Sequence, residues 1–304
     1  LSGDRGEGGT VPSGREWNER VVKRELKKNL IGRFAGNLFW PDNIALYWLT
    51  CYNRTHIMAQ TLADNYFDTL PFGRDLAFRD LNPKRPALII NSTLSTQNLF
   101  GQPFTFTDED FRGMISSDIN AFPLSHGVMA SATFPGVFQY YTLRNYSVTR
   151  SRRFIHVFDG GIHDNLGMES LRRVIEANPG CGERGIVIIL VDAFNDNDAG
   201  IRPTVRDTRQ GILGYIVDST IIDSFNAMLT NQREASLRRI DRLKKVFEKK
   251  GRPVHFLHFQ FETIRQMQEK SRSVELQSDL ARNYKILTTI PTNLKISDEH
   301  AAAI

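Results

Sequence analysis

Apolar positions recur at helical spacing over residues 15–30, where Trp17, Val21, Val22, Leu26 and Leu30 share one face of a strongly basic segment. Asp42 and Asn43 can cap a second helix running from about Ile44 to Phe67. The period then changes. Ala87 to Asn91, entered through Arg85-Pro86, reads as a strand and is followed by the Ser/Thr-rich Ser92 to Thr96. Phe104 and Phe106 alternate with threonines, and a helical turn is expected over Asp108 to Phe111. Ser125 to Phe134 reads as a helix of small residues stopped by Pro135-Gly136. Phe154 to Phe158 forms the next strand, with a helix over Asp164 to Ala177. Ile186 to Asp192 is almost wholly apolar, which predicts a central strand covered on both faces. Amphipathic helices follow over Gly211 to Met228 and Ser236 to Lys250, then a strand over Val254 to Phe261 and helix to about Leu287.

Strands separated by helices at ~30-residue intervals predict an α/β layered fold, with a central, largely parallel sheet flanked by helices. Leu1 to Gly14 has no periodic apolar face and reads as a flexible glycine-rich loop.

Composition narrows the picture only slightly. Hydrophobic residues make up 40% of 304, enough for a core, and the longest apolar run, Ile186 to Val191, is far short of the ~20 residues that span a bilayer. A soluble fold is expected. The net charge is +5, but basic residues are interleaved with acids, as in Arg238 to Lys250, so a solvated helix face is favoured over nucleic-acid binding. Attraction to an anionic membrane surface is the minority reading. Cys51 and Cys181 make no disulfide framework and show no metal-ligand spacing.

Candidate chemistry centres on Asp159, which directly follows a strand and stands where open α/β sheets bind ligands. Gly160 and Gly161 permit a tight turn and leave room beside the backbone. Asp164 and Asn165 follow at the start of a helix, and Asn165 is a candidate to brace the turn. A rigidly held carboxylate there can orient and deprotonate a nucleophile, although Asp-Gly is also a common turn dipeptide. His156, His163 and their neighbouring aspartates are metal-ligand types. His156 and Asp159 sit three apart on a strand and so point to opposite faces, and no metal is expected.

The block Phe158-Asp-Gly-Gly-Ile-His-Asp-Asn-Leu-Gly167 resembles the Asp-Gly-Gly/Ala block of the patatin-like phospholipases, especially their bacterial branch. Ala87 to Thr93, with Phe104 to Asp108, resembles that family's core strand and following loop. Ala130-Ser-Ala-Thr-Phe-Pro-Gly-Val-Phe138 resembles its Ala-Ser-x-x-Phe-Pro helix end, which packs under the active site, and Ile290-Pro-Thr-Asn293 resembles the tail of that branch. The resemblance spans roughly Arg15 to Ile296 and implies one partial acyl hydrolase domain over residues 15–304. It also implies a Ser-Asp dyad with Asp159 as base, acyl lipids or phospholipids as substrates, a possible peripheral membrane surface, and no cofactor.

The family's nucleophile lies in a Gly-x-Ser-x-Gly elbow, and no serine here has glycine at both flanking positions. The elbow and its glycine-rich oxyanion loop are therefore expected to precede Leu1, which leaves this portion inactive alone. Three alternatives remain. The chain could be a non-catalytic lipid-binding or interaction module; it could use a metal through His156 and His163; or Phe104, Phe106, Phe134 and Phe138 could line an acyl channel rather than a core.

Overall fold

The computed structural model describes residues 19–67, 75–147, 153–178, 180, 182–194, 219–271, 273–288, 297–298 and 300, with the side chains of 219–226 outside that set. The glycine-rich opening, Trp17, Cys181, residues 211–218 and the Ile290 to Asn293 block lie outside the described residues. Contacts group the chain into two compact units. One is Leu1–His163 with Asn293–Lys295, and the other Asp164–Thr292 with Ile296–Ile304.

In the first unit the expected opening helix is two, α1 (Glu19–Leu26) and α2 (Leu30–Leu38). The Asn29 side chain ends the run by capping α2, accepting from the Gly32 N–H at 3.0 Å. The helix expected from Ile44 to Phe67 is likewise divided, into α3 (Pro41–Leu49) and α4 (Arg54–Leu62). Pro41 occupies the first turn of α3, where its missing N–H costs nothing. Asn53 caps α4, accepting from the Thr55 N–H at 3.0 Å while its own N–H donates to His56 Nδ1 at 3.3 Å. Met58, Ala59 and Leu62 of α4 pack with Leu30 and Met129 in a small apolar cluster.

Four strands make the sheet of this unit: β1 (Ile90–Leu94), β2 (Pro103–Phe106), β3 (Tyr141–Arg144) and β4 (Phe154–Asp159). Their order is β2-β1-β4-β3, and every neighbouring pair is antiparallel. The mixed α/β class is as expected, but this sheet corrects the expectation of parallel pairing. The links from β1 to β2 and from β3 to β4 are shorter than the dozen or so residues a parallel crossover needs. Helices α5 (Asp108–Ile115) and α6 (Leu124–Ser131) cover the sheet. Phe104, Phe106 and Phe111 are buried with Leu94, Leu124 and Val157, the rings of Phe104 and Phe106 meeting edge-on at 5.5 Å. Phe104 and Phe106 are therefore core residues and not channel lining.

A single helical turn, α7 (Gly161–Asp164), follows β4. The second unit continues with α8 (Met168–Ala177), β5 (Ile186–Asp192), the long α9 (Ser219–Lys249), β6 (Val254–Gln260), α10 (Phe261–Lys270) and α11 (Val274–Thr288). Here the expected parallel pairing is present: β5 runs parallel to β6, and the connection between them is long enough to hold α9. Met168, Leu190 and Ile240 form the buried cluster, with Leu237 and Phe256 against it. Among the described residues β5 is not covered on both faces. Ile188 and Leu190 are buried, whereas Val187, Ile189 and Val191 are 62–73% exposed. Among the described residues no helix is long and apolar enough to cross a membrane.

Candidate active site

β4 delivers Asp159 to its carboxyl end, in register with Ser92 of β1. The strand end is pinned from two sides. From β1, Thr93 Oγ1 donates to the Asp159 carbonyl at 2.8 Å. From the end of α6 and the residues just after it, the Ser131 and Thr133 carbonyls accept from the N–H groups of Gly160 and Asp159, each at 3.1 Å. The two other sequence blocks that accompany Asp159 thus meet it through its own backbone, which fixes where the carboxylate starts.

The glycines have separate tasks. A Cβ on Gly160 would come within 2.7 Å of the Asn91 carbonyl carbon, closer than any side chain tolerates. Gly160 therefore lets β4 lie against β1 at this point. Gly161 contributes its N–H, which donates to Asp159 Oδ1 at 2.8 Å. The other oxygen, Oδ2, makes no hydrogen bond, and no cation pairs with the carboxylate among the described residues. Burial pushes the Asp159 carboxyl above its ordinary range, opposed by the Gly161 hydrogen bond. The site holds a desolvated carboxylate with one oxygen fixed and one available to take a proton.

Asn165 is exposed, and its side chain makes no hydrogen bond among the described residues. Its neighbour Asp164 is buried and accepts from the Glu169 N–H at 3.1 Å and the Ser170 N–H at 2.9 Å, capping α8. Sequence reasoning missed that role, although an aspartate just before a helix that opens on Gly167 is a capping signal.

The histidines are engaged elsewhere. His156 Nδ1 lies 3.0 Å from Thr142 Oγ1, with Tyr140 packed on its ring. His163 Nδ1 lies 2.8 Å from the Gly101 carbonyl. Among the described residues no three His, Cys, Asp or Glu side chains converge as metal ligands would. His126 is half-buried beside Tyr141 and His56, its Nδ1 2.6 Å from the Tyr141 hydroxyl, and desolvation lowers its pKa to about 4, with His56 adding to the effect. Phe134 and Phe138 are half-buried, Phe138 against Phe34 at 5.8 Å.

Asp192 is a second aspartate at a strand end, one that sequence reasoning did not single out, and it offers a contrast. It is 3% exposed and fully committed: Oδ1 accepts from the Phe194 N–H at 3.1 Å, and Oδ2 from Arg233 Nε at 2.7 Å with His258 Nε2 at 3.2 Å. A carboxylate so paired is an anchor, not a base.

The family model of the patatin-like phospholipases matches residues 10–172, ending within α8 and before β5. No curated protein and no solved structure matches the chain. The matched segment takes in the four-stranded sheet, the turn after α6 and the strand-end Asp159, and it covers more than half of the 304 residues: the chain belongs to the patatin-like phospholipase family.

Proposed function

We propose that Asp159 is the general base of a Ser-Asp dyad that hydrolyses acyl-lipid esters, with the serine supplied by a segment preceding Leu1. Family membership supports lipid acyl hydrolase activity with lipid substrates. The observation that supports the finer reading is the state of Asp159, desolvated, held through Oδ1 and open at Oδ2. The serine attacks the ester carbonyl as Oδ2 accepts its proton, and that proton passes to the departing alcohol. Water then attacks the acyl-serine, Asp159 takes the water proton, and the fatty acid leaves as the serine is restored. Oxyanion donors would come from the glycine-rich loop beside the elbow.

In this proposal the acyl hydrolase domain extends over residues 15–304, beyond the matched segment, in the manner of the family's bacterial branch. Substrate would be taken at a lipid surface by peripheral contact. The test is ester hydrolysis by the protein that includes its upstream segment. Asp159→Asn should lower turnover there by orders of magnitude, and residues 1–304 alone should show none. Serine-dependent turnover by residues 1–304 alone would overturn the reading.

A further inference from the structure

Between α8 and the carboxyl-terminal half of α9 lies a cavity of about 630 Å³, formed wholly by residues of the second unit. Its volume lies within the ~300–1,000 Å³ of small-ligand sites. Arg172, Arg239, Arg242, Lys250 and Arg252 line it, against only two carboxylates, Glu169 and Glu176. Both carboxylates are committed to Arg172. The other four cations have no acidic partner among the described residues.

Arg239 is the informative one. Its Nη1 is buried and has no hydrogen-bond partner among the described residues. A guanidinium nitrogen withdrawn from water without an acceptor is unfavourable, so the fold holds this cation at the cavity wall at a cost to stability. The rest of the wall is apolar: Ile175 from α8, with Leu243, Val246 and Phe247 from α9. The planar fork of arginine suits a carboxylate or phosphate, and the aliphatic wall suits an alkyl chain.

We infer that this cavity binds a single-chain amphiphile with an anionic head, the head on Arg239 and Arg242 and the chain along Leu243, Val246 and Phe247. The site uses none of residues 159–161, so it stands whether or not Asp159 is a base. Carboxylate and phosphate heads share the recognition chemistry, and titration separates them.

The 304-residue chain is titrated calorimetrically with dodecanoate, dodecyl phosphate, inorganic phosphate and dodecyltrimethylammonium, each below its micellar concentration. At least one anionic amphiphile should bind saturably at one site, with inorganic phosphate ten-fold or more weaker and the cation not bound. Arg239→Met keeps an aliphatic stem and removes a cationic group from the cavity wall. It should weaken binding at least ten-fold while Tm holds or rises, whereas a purely structural arginine would lower Tm and leave affinity unchanged. Val246→Glu, at a half-exposed wall position, should weaken binding at least ten-fold and does not depend on how Arg239→Met folds. The inference is overturned by the absence of saturable anionic binding, by equal binding of the cationic amphiphile or of phosphate alone, or by wild-type affinity in both variants.

Discussion

The Gly161 N–H donates to Asp159 Oδ1 at 2.8 Å, and this one hydrogen bond makes the two oxygens of the carboxylate unequal. Oδ1 is held by backbone, whereas Oδ2 is left to exchange protons in a partly desolvated setting. The turn glycine and the proposed base thus work as one unit.

The pH dependence of hydrolysis follows from that setting. A protonated Asp159 cannot accept a proton, so activity is lost as pH falls through its pKa. Burial raises that pKa, and the acid limb of kcat/KM for the complete enzyme should lie above the ordinary carboxylate value. A pH–rate profile measures it, and a limb at or below the ordinary value would contradict a desolvated base.

Gly160→Ala should be costly, because the added methyl group meets the backbone of β1 rather than a movable side chain. Overpacking of this kind destabilises by about 1–3 kcal/mol. Urea unfolding should show that loss, and ester hydrolysis should fall with it since the same turn places Asp159.

The strands that frame this site were only partly legible in the sequence. β4 and the small-residue α6 lie where their patterns predict, and β5 matches its apolar run from Ile186 to Asp192. β1 does not: the apolar start of its run is outside the strand, with Leu88 exposed, while the hydroxyl-bearing Ser92 and Thr93 are buried. Those hydroxyls are satisfied by the Phe104 and Asp159 carbonyls, partners far away in sequence that no local pattern discloses. β3 was missed because it has four residues and one of them, Arg144, is exposed. The antiparallel order could have been argued from the short links between strands, a signal outweighed by the helix–strand alternation. Asp159 was found from its position and its glycines. The free Oδ2 and the capping role of Asp164 needed coordinates.

His126 should couple stability to mild acid. Its pKa falls from an ordinary 6.5 to about 4, so between those values the unfolded chain binds more protons and folding stability decreases as pH decreases. The loss amounts to about 3 kcal/mol across the window, and none of it is incurred above pH 6.5. Urea midpoints from pH 7 to pH 4 for the chain and for His126→Gln should differ by that slope. Parallel curves would assign the acid sensitivity elsewhere.

Asp192→Ala should destabilise the second unit by about 3–5 kcal/mol, because it leaves the largely buried Arg233 without its counter-charge. Differential scanning calorimetry reads the shift. Introduced into the protein with the proposed upstream segment, Asp192→Ala that remains folded should retain ester hydrolysis, which separates this strand-end aspartate from Asp159.

The most direct test of the account is Asp159→Asn in a protein that includes the proposed upstream segment, assayed by acyl-ester hydrolysis alongside thermal melting. Asparagine retains an oxygen for the Gly161 N–H but cannot accept the serine proton. Turnover should fall by about 10²–10⁴-fold with Tm nearly unchanged. Retained turnover at an unchanged Tm would show that Asp159 is a turn residue and not the base.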